Sequence, residues 1–77
     1  MTKAEIKQIK QRVRIERAEM AQAAAAGWVK AARQMQQEAI EWADATPQLL
    51  AWNQRNVNAA YLALVRADRA LAKAVAA

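Results

Sequence analysis

Apolar side chains recur at helical spacing along most of the chain. Two rows repeat every seven residues: Leu50, Val57, Leu64 and Leu71 in the second half, and Trp28, Met35 and Trp42 in the first. A seven-residue apolar repeat is typical of helices that pack side by side along a coiled-coil-like seam. The pattern therefore predicts long helices and an all-α fold.

Two local signals divide the chain into helices. The stretch Thr2-Lys3-Ala4-Glu5 fits a capping box, which starts a helix, and Asp44-Ala45-Thr46-Pro47 ends one helix and starts another. We expect helix 1 over residues 3–45 and helix 2 over residues 47–76. So short a connection permits only a two-helix antiparallel hairpin with a long first helix. Folding there places Leu50 beside Trp42 and Leu64 beside Trp28.

Alanines flank this expected seam, at Ala24, Ala31 and Ala39 and at Ala60, Ala67 and Ala74. Helix 2 carries a further face of small and aromatic residues beside the seam: Trp52, Ala59, Ala63 and Ala70. One neighbouring helix cannot cover so wide an apolar arc. We therefore expect a homodimer that forms a four-helix bundle through these residues. The alternative is that alanine only fills exposed helix positions, for which it is the best residue.

The composition narrows the function. The chain has 77 residues, 22 of them alanine, with one glycine, one proline and neither cysteine nor histidine. One small domain without disulfides, thiolates or imidazoles follows, and we expect no cofactor and no metal site. No glycine-rich phosphate loop and no nucleophile beside a base occurs, so we expect no enzyme.

The charge is unevenly distributed. With helix 2 expected to end near the level of residues 15–17, about a dozen residues of helix 1 should project as an arm. At about 100° per residue, the cations Lys3, Lys7, Lys10, Arg14 and Arg17 share one arc of this arm. Beside them runs an apolar stripe, Ile6, Ile9, Val13 and Met20. Glu38, Glu41 and Asp44 gather near the turn, so the hairpin is expected to be positive at its open end.

The stretch Ala23-Ala24-Ala25-Ala26-Gly27 separates the arm from the hairpin. The arm stripe steps by seven to Met20, but Trp28 follows eight residues later, which rotates the apolar stripe by about 80°. Two interpretations are open. The small residues absorb a bend or a change of partner, or Gly27 makes room for a tryptophan across the seam.

Isoleucine beside lysine is typical of a helix that lies in an apolar groove with an acidic rim. We expect a partner protein to be bound by Ile6, Ile9 and Val13 through apolar burial and by Lys7, Lys10, Arg14 and Arg17 through charge. Four alternatives remain. The arm seals a self-dimer, the cations bind a nucleic-acid backbone, they lie on a membrane surface, or the hairpin is a structural assembly rod.

A net charge of +5 favours acidic partners without choosing among them. No uncharged apolar run reaches the roughly 18 residues of a membrane span, and the start lacks a signal-peptide pattern, so we expect a cytoplasmic chain.

The arrangement of two helices in a hairpin resembles that of plasmid-encoded Rop-type RNA-binding hairpins, although no stretch of residues matches and no function is carried over. By analogy with compact helical regulators of phages and plasmids, the expected role is regulation or inhibition of another protein.

Overall fold

The computed structural model describes all 77 residues and contains two helices, α1 over Lys3–Glu41 and α2 over Pro47–Ala76. The Cα atoms fill a rod of 64 × 14 × 13 Å. The Gln11 side-chain amide donates hydrogen bonds to the backbone oxygens of Ala74 and Ala77, and Gln36 bonds to Gln54. The helices are therefore antiparallel, and the helical hairpin is confirmed.

Both helix starts lie where the sequence predicts them. The Thr2 hydroxyl oxygen accepts from the Glu5 backbone N–H at 3.2 Å, and that of Thr46 accepts from Leu49 N–H at 3.1 Å. Each bond satisfies an amide that the first helical turn leaves free. Pro47 occupies the first position of α2, where no amide hydrogen is needed.

The end of α1 lies four residues earlier than the expected residue 45. The last helical residue is Glu41, and Trp42 caps the helix by donating its backbone N–H to Glu38 and Ala39 carbonyls. Local sequence signals mark only the proline. The chain, however, needs several non-helical residues to reverse between two packed helices, so the reversal takes residues that could otherwise be helical.

The seam between the helices is built from alanine. The buried residues of α1 are Ala25, Ala32 and Ala39, at intervals of seven, and those of α2 include Ala60 and Ala74. Ala60 is fully buried and packs in one cluster with Ala32 and Val57. Methyl groups at these positions let the two backbones approach closely, so the core between the helices is thin.

The expectation that Trp28, Met35 and Trp42 lie in the seam is wrong, because all three are exposed. Each follows a buried alanine by three residues and so lies on the flank of the seam. Backbones packed through alanine leave no space for an indole between them. Of the predicted flanking alanines of α1, Ala24 and Ala31 are also exposed. In the predicted row on α2, Val57 is buried and Leu64 and Leu71 are half-buried, but Leu50 is exposed, so its expected place in the seam beside Trp42 is wrong.

Polar side chains interrupt the seam. Gln22 donates a hydrogen bond to Asp68 and Gln36 donates one to Gln54, each at 2.7 Å. Asn53 is only 3% exposed; its amide donates to the Leu49 carbonyl, but its Oδ1 atom has no partner. Because a buried acceptor without a donor costs about 1–3 kcal/mol, Asn53 weakens the isolated hairpin.

The overhang of α1 is shorter than expected. The hydrogen bonds from Gln11 place the end of α2 level with that residue, so only residues 3–10 project beyond it. The earlier end of α1 contributes to the difference, because it shifts the pairing of α2 toward the N-terminus of α1. The overhang is about 12 Å of helix.

The structure contradicts both a change of partner at this stretch and a glycine that makes room for a tryptophan. The seam continues through Gln22, Ala25 and Val29 without a change of partner, and α1 is one unbroken helix. A Cβ atom added at Gly27 would meet nothing within 4 Å, so the glycine makes no room for a tryptophan. The predicted rotation of the stripe came from assigning the tryptophan row to the seam.

Neither helix combines the length and the apolar character needed to cross a bilayer.

Replacing Gly27 by alanine should stabilise the chain. The position is helical with open space around it, so the methyl group removes a backbone-entropy cost of about 1 kcal/mol without a clash. Urea unfolding followed by circular dichroism should show a higher midpoint at an unchanged slope. An unchanged or lower midpoint would mean that the glycine has a role that the open space does not reveal.

Replacing Ala60 by leucine should destabilise the chain by about 1–3 kcal/mol or more, because the larger side chain forces the backbones apart. Ala72→Leu is the matched control, since it places the same side chain at an exposed position of the same helix. Thermal unfolding of both variants measures the difference. Equal midpoints would contradict the close alanine seam.

Candidate protein-binding surfaces

An apolar stripe on α1, formed by Ile6, Ile9 and Val13 and called here the arm stripe, is open to solvent. The three side chains are 39%, 46% and 37% exposed. Gln11 and Ile15, which face α2, lie two residues on either side of Val13. At about 100° per residue, Val13 therefore points away from α2. The arm stripe is uncovered because of its direction as well as because α1 is longer.

The structure brings the predicted cations beside this stripe. One shallow hollow is lined by Ile9, Lys10, Val13, Arg14 and Arg17, and a second by Lys3, Ile6, Lys7 and Lys10. All seven residues predicted to bind a partner thus share one continuous surface. The side-chain hydrogen bonds of the structure employ no lysine or arginine, so these cations keep their donors.

A second apolar surface lies at the turn end. A groove of about 360 Å³ is lined by Met35, Glu38, Ala39, Trp42, Leu49, Trp52 and Asn53, and is called here the tryptophan groove. Its two tryptophans are 58% and 48% exposed. Asn53, whose buried Oδ1 atom has no hydrogen-bond partner, is one of the lining residues. Sequence reasoning missed this groove, although the alanine row three residues before each tryptophan was the signal for it.

The residues predicted to form a dimer interface lie on the same side of the hairpin as the tryptophan groove. The Trp28 indole N–H donates to Asn56 Oδ1 at 3.2 Å, which fixes that side of α1 against that side of α2. Ala59 and Ala63 lie one and two turns beyond Asn56. Trp52, Ala59 and Ala70 are exposed and Ala63 is half-buried, so most of the predicted interface is accessible.

The open end carries cations from both helices. Arg66, Arg69, Ala70 and Lys73 line a hollow on α2. Lys73 precedes Ala74, whose carbonyl meets Gln11, so it lies level with the arm stripe and its cations. Glu38, Glu41 and Asp44 lie at the opposite end of a 64 Å rod. The predicted polarisation of charge along the hairpin therefore holds in the structure.

A further hollow, lined mostly by polar side chains, lies on α1 near the open end. This hollow, the largest at about 590 Å³, lies where α2 ends beside Gln11 and Ile15, and Ile15 is its only apolar lining residue. No group of three or more acidic, histidine or cysteine residues is placed to hold a metal ion. Comparison with known proteins finds no matching family model, no matching curated protein and no matching solved structure.

The triple variant Ile6→Ser, Ile9→Ser, Val13→Ser should keep the fold. These side chains are exposed on the side of α1 that points away from α2, so we expect the free energy of unfolding to change by less than about 1 kcal/mol, as at ordinary surface positions. Circular dichroism and thermal unfolding at a fixed concentration measure this. A large loss of helix content would mean that the arm stripe is covered in solution.

Proposed function

We propose that this chain is a small, non-enzymatic interaction protein that binds and regulates another protein through its arm stripe and the adjacent cations. The observation that carries the proposal is the exposure of Ile6, Ile9 and Val13 on the side of α1 that points away from α2. Three branched aliphatic side chains in a row are unfavourable in water. An apolar groove on a partner, with an acidic rim, fits this surface.

The expected energetics divide between the two kinds of side chain. Burying the exposed parts of the three apolar residues supplies about 1 kcal/mol each, at roughly 25 cal/mol per Å². The cations Lys7, Lys10, Arg14 and Arg17 chiefly raise the association rate and fix the orientation of the helix. The partner therefore recognises a helix face, and the side chains already stand on a formed helix.

Association of two copies into a four-helix bundle is part of the same proposal. Only seven of 77 residues are buried, and fifteen large apolar side chains remain exposed. A hairpin with so small a core gains stability when a second copy covers part of that surface. Trp52, Ala59, Ala63 and Ala70 support this proposal because they lie together on an accessible face.

A nucleic-acid backbone is the second candidate partner. The specific observation in its favour is that Arg66, Arg69 and Lys73 of α2 lie at the same end of the rod as the cations of α1. Five phosphate contacts predict that the logarithm of affinity falls with the logarithm of salt at a slope of about −4.5. Apolar burial depends far less on salt.

The arm stripe should be required for binding. A photo-reactive side chain placed at Arg17, at the edge of the stripe, should capture a partner in a lysate of the native host treated with nuclease. The Ile6→Ser, Ile9→Ser, Val13→Ser variant, with the same probe, should reduce that capture at least tenfold, the loss that about 1.4 kcal/mol produces.

The matched control is Leu62→Ser with Val65→Ser, which removes exposed aliphatic side chains from α2 and should leave capture unchanged. Capture that survives the triple variant would contradict the proposal. Capture that nuclease abolishes, with a steep salt dependence, would favour the nucleic-acid candidate. If no partner is captured, a structural role as an assembly rod is the remaining candidate function.

A further inference from the structure

One long face of the hairpin, called here the tryptophan face, changes character steadily from end to end. On α1 its members recur every seven residues: Lys7, Arg14, Ala21, Trp28, Met35 and Trp42. On α2 they are Trp52, Ala59, Arg66 and Lys73. The tryptophan groove and the Trp28–Asn56 hydrogen bond place both rows on one side of the rod. The face is aromatic at the turn, small in the middle and basic at the open end.

We propose that a second copy of this chain packs on the tryptophan face in antiparallel orientation, about a two-fold axis that crosses the rod beside Ala24 and Ala63, between residues 24 and 25 of α1 and residues 62 and 63 of α2. This inference rests on the proposed association of two copies and specifies its geometry. The hydrogen bonds of Gln22 with Asp68 and Trp28 with Asn56 place Ala24 and Ala63 at about the same level, in the middle of the rod. The axis therefore passes through small residues of both helices.

Along α1, the two-fold axis pairs unlike residues. Reversal about the point between Ala24 and Ala25 brings Trp42 opposite Lys7, Met35 opposite Arg14, and Trp28 opposite Ala21. It also brings Glu38, at the rim of the tryptophan groove, within one residue of Lys10. An indole thus meets an ammonium group, a tryptophan meets the space above an alanine, and a carboxylate meets a cation.

The same operation gives complementary pairs along α2. Reversal about the point between Leu62 and Ala63 brings Trp52 opposite Lys73 and Ala59 opposite Arg66. Two lysines of the second copy therefore approach the tryptophan groove. Their ammonium groups lie over the exposed indoles of Trp42 and Trp52, where a cation is attracted to the aromatic ring. The aromatic groove is thus covered by the cationic end of a second copy.

A parallel arrangement of two copies is electrostatically unfavourable on this face. It would place lysine opposite lysine and arginine opposite arginine at the open end, where like charges repel. Antiparallel packing separates the two basic ends. It also leaves the arm stripe free, because Ile6 and Val13 point away from α2 along the edge of the hairpin. A foreign partner can therefore bind the arm stripe and Arg17 while the pair is intact, whereas Lys7, Lys10 and Arg14 face the second copy.

The absence of cysteine allows a direct test of the axis. Ala24→Cys should form a disulfide-linked dimer under mild oxidation, because the axis brings residue 24 next to its own copy. Ala26→Cys is the matched control, since it is exposed two residues away on the opposite side of α1 and should stay largely unlinked. Equal linkage of the two variants would overturn the antiparallel packing.

Charge exchange gives a second test that does not rely on linkage. Lys10→Glu alone and Glu38→Lys alone should each weaken dimerisation about tenfold, since each dimer contains the affected pair twice. The combined variant should restore the wild-type dissociation constant, measured by sedimentation equilibrium. A dimer without restoration would overturn this geometry but keep the proposed association, whereas a monomeric wild type would overturn both.

Discussion

The close approach of two alanine rows is the constraint on which the rest of this structure depends. Ala25, Ala32 and Ala39 of α1 meet a seam of α2 that contains Ala60 and Ala74, so the space between the helices accepts methyl groups and little more. Apart from Ile15, Val29 and the glutamines that bond across the seam, the larger side chains of α1 are consequently displaced to a flank or to the outside. The hairpin forms a regular rod, yet it leaves most of its apolar surface in water.

What the sequence could predict follows from the range of each interaction. Helix starts were predictable because Thr2, Thr46 and Pro47 act within one turn of the chain. The end of α1 was not, because the residues needed to reverse the chain depend on how the two helices pack. The seam of α1 was misassigned because the tryptophan row and the alanine row share a period of seven. Periodicity cannot choose between two such rows, and the choice depends on the distance between the backbones.

The candidate surfaces show the same division. The arm stripe and its cations could be predicted because their exposure needs only a long first helix, and their direction then follows from helical spacing. The tryptophan groove could not, because Trp42 and Met35 had been assigned to the core. Trp52, Ala59, Ala63 and Ala70 were recognised as a free face of α2. The part that α1 contributes to that face became apparent only once the alanine seam was known.

The two proposed surfaces are physically coupled. Residues 3–10 have no second helix beside them, and an isolated helical end frays because its terminal hydrogen bonds gain no support from packing. In an antiparallel pair, the turn of the second copy would lie against the Lys7 side of this segment and hold it helical, while Ile6 and Ile9 stay on the outer side. Ordering the arm before it meets a partner lowers the entropy lost on binding. Pairing of the hairpins would then strengthen docking at the arm stripe, whose aliphatic side chains the pairing itself does not contact.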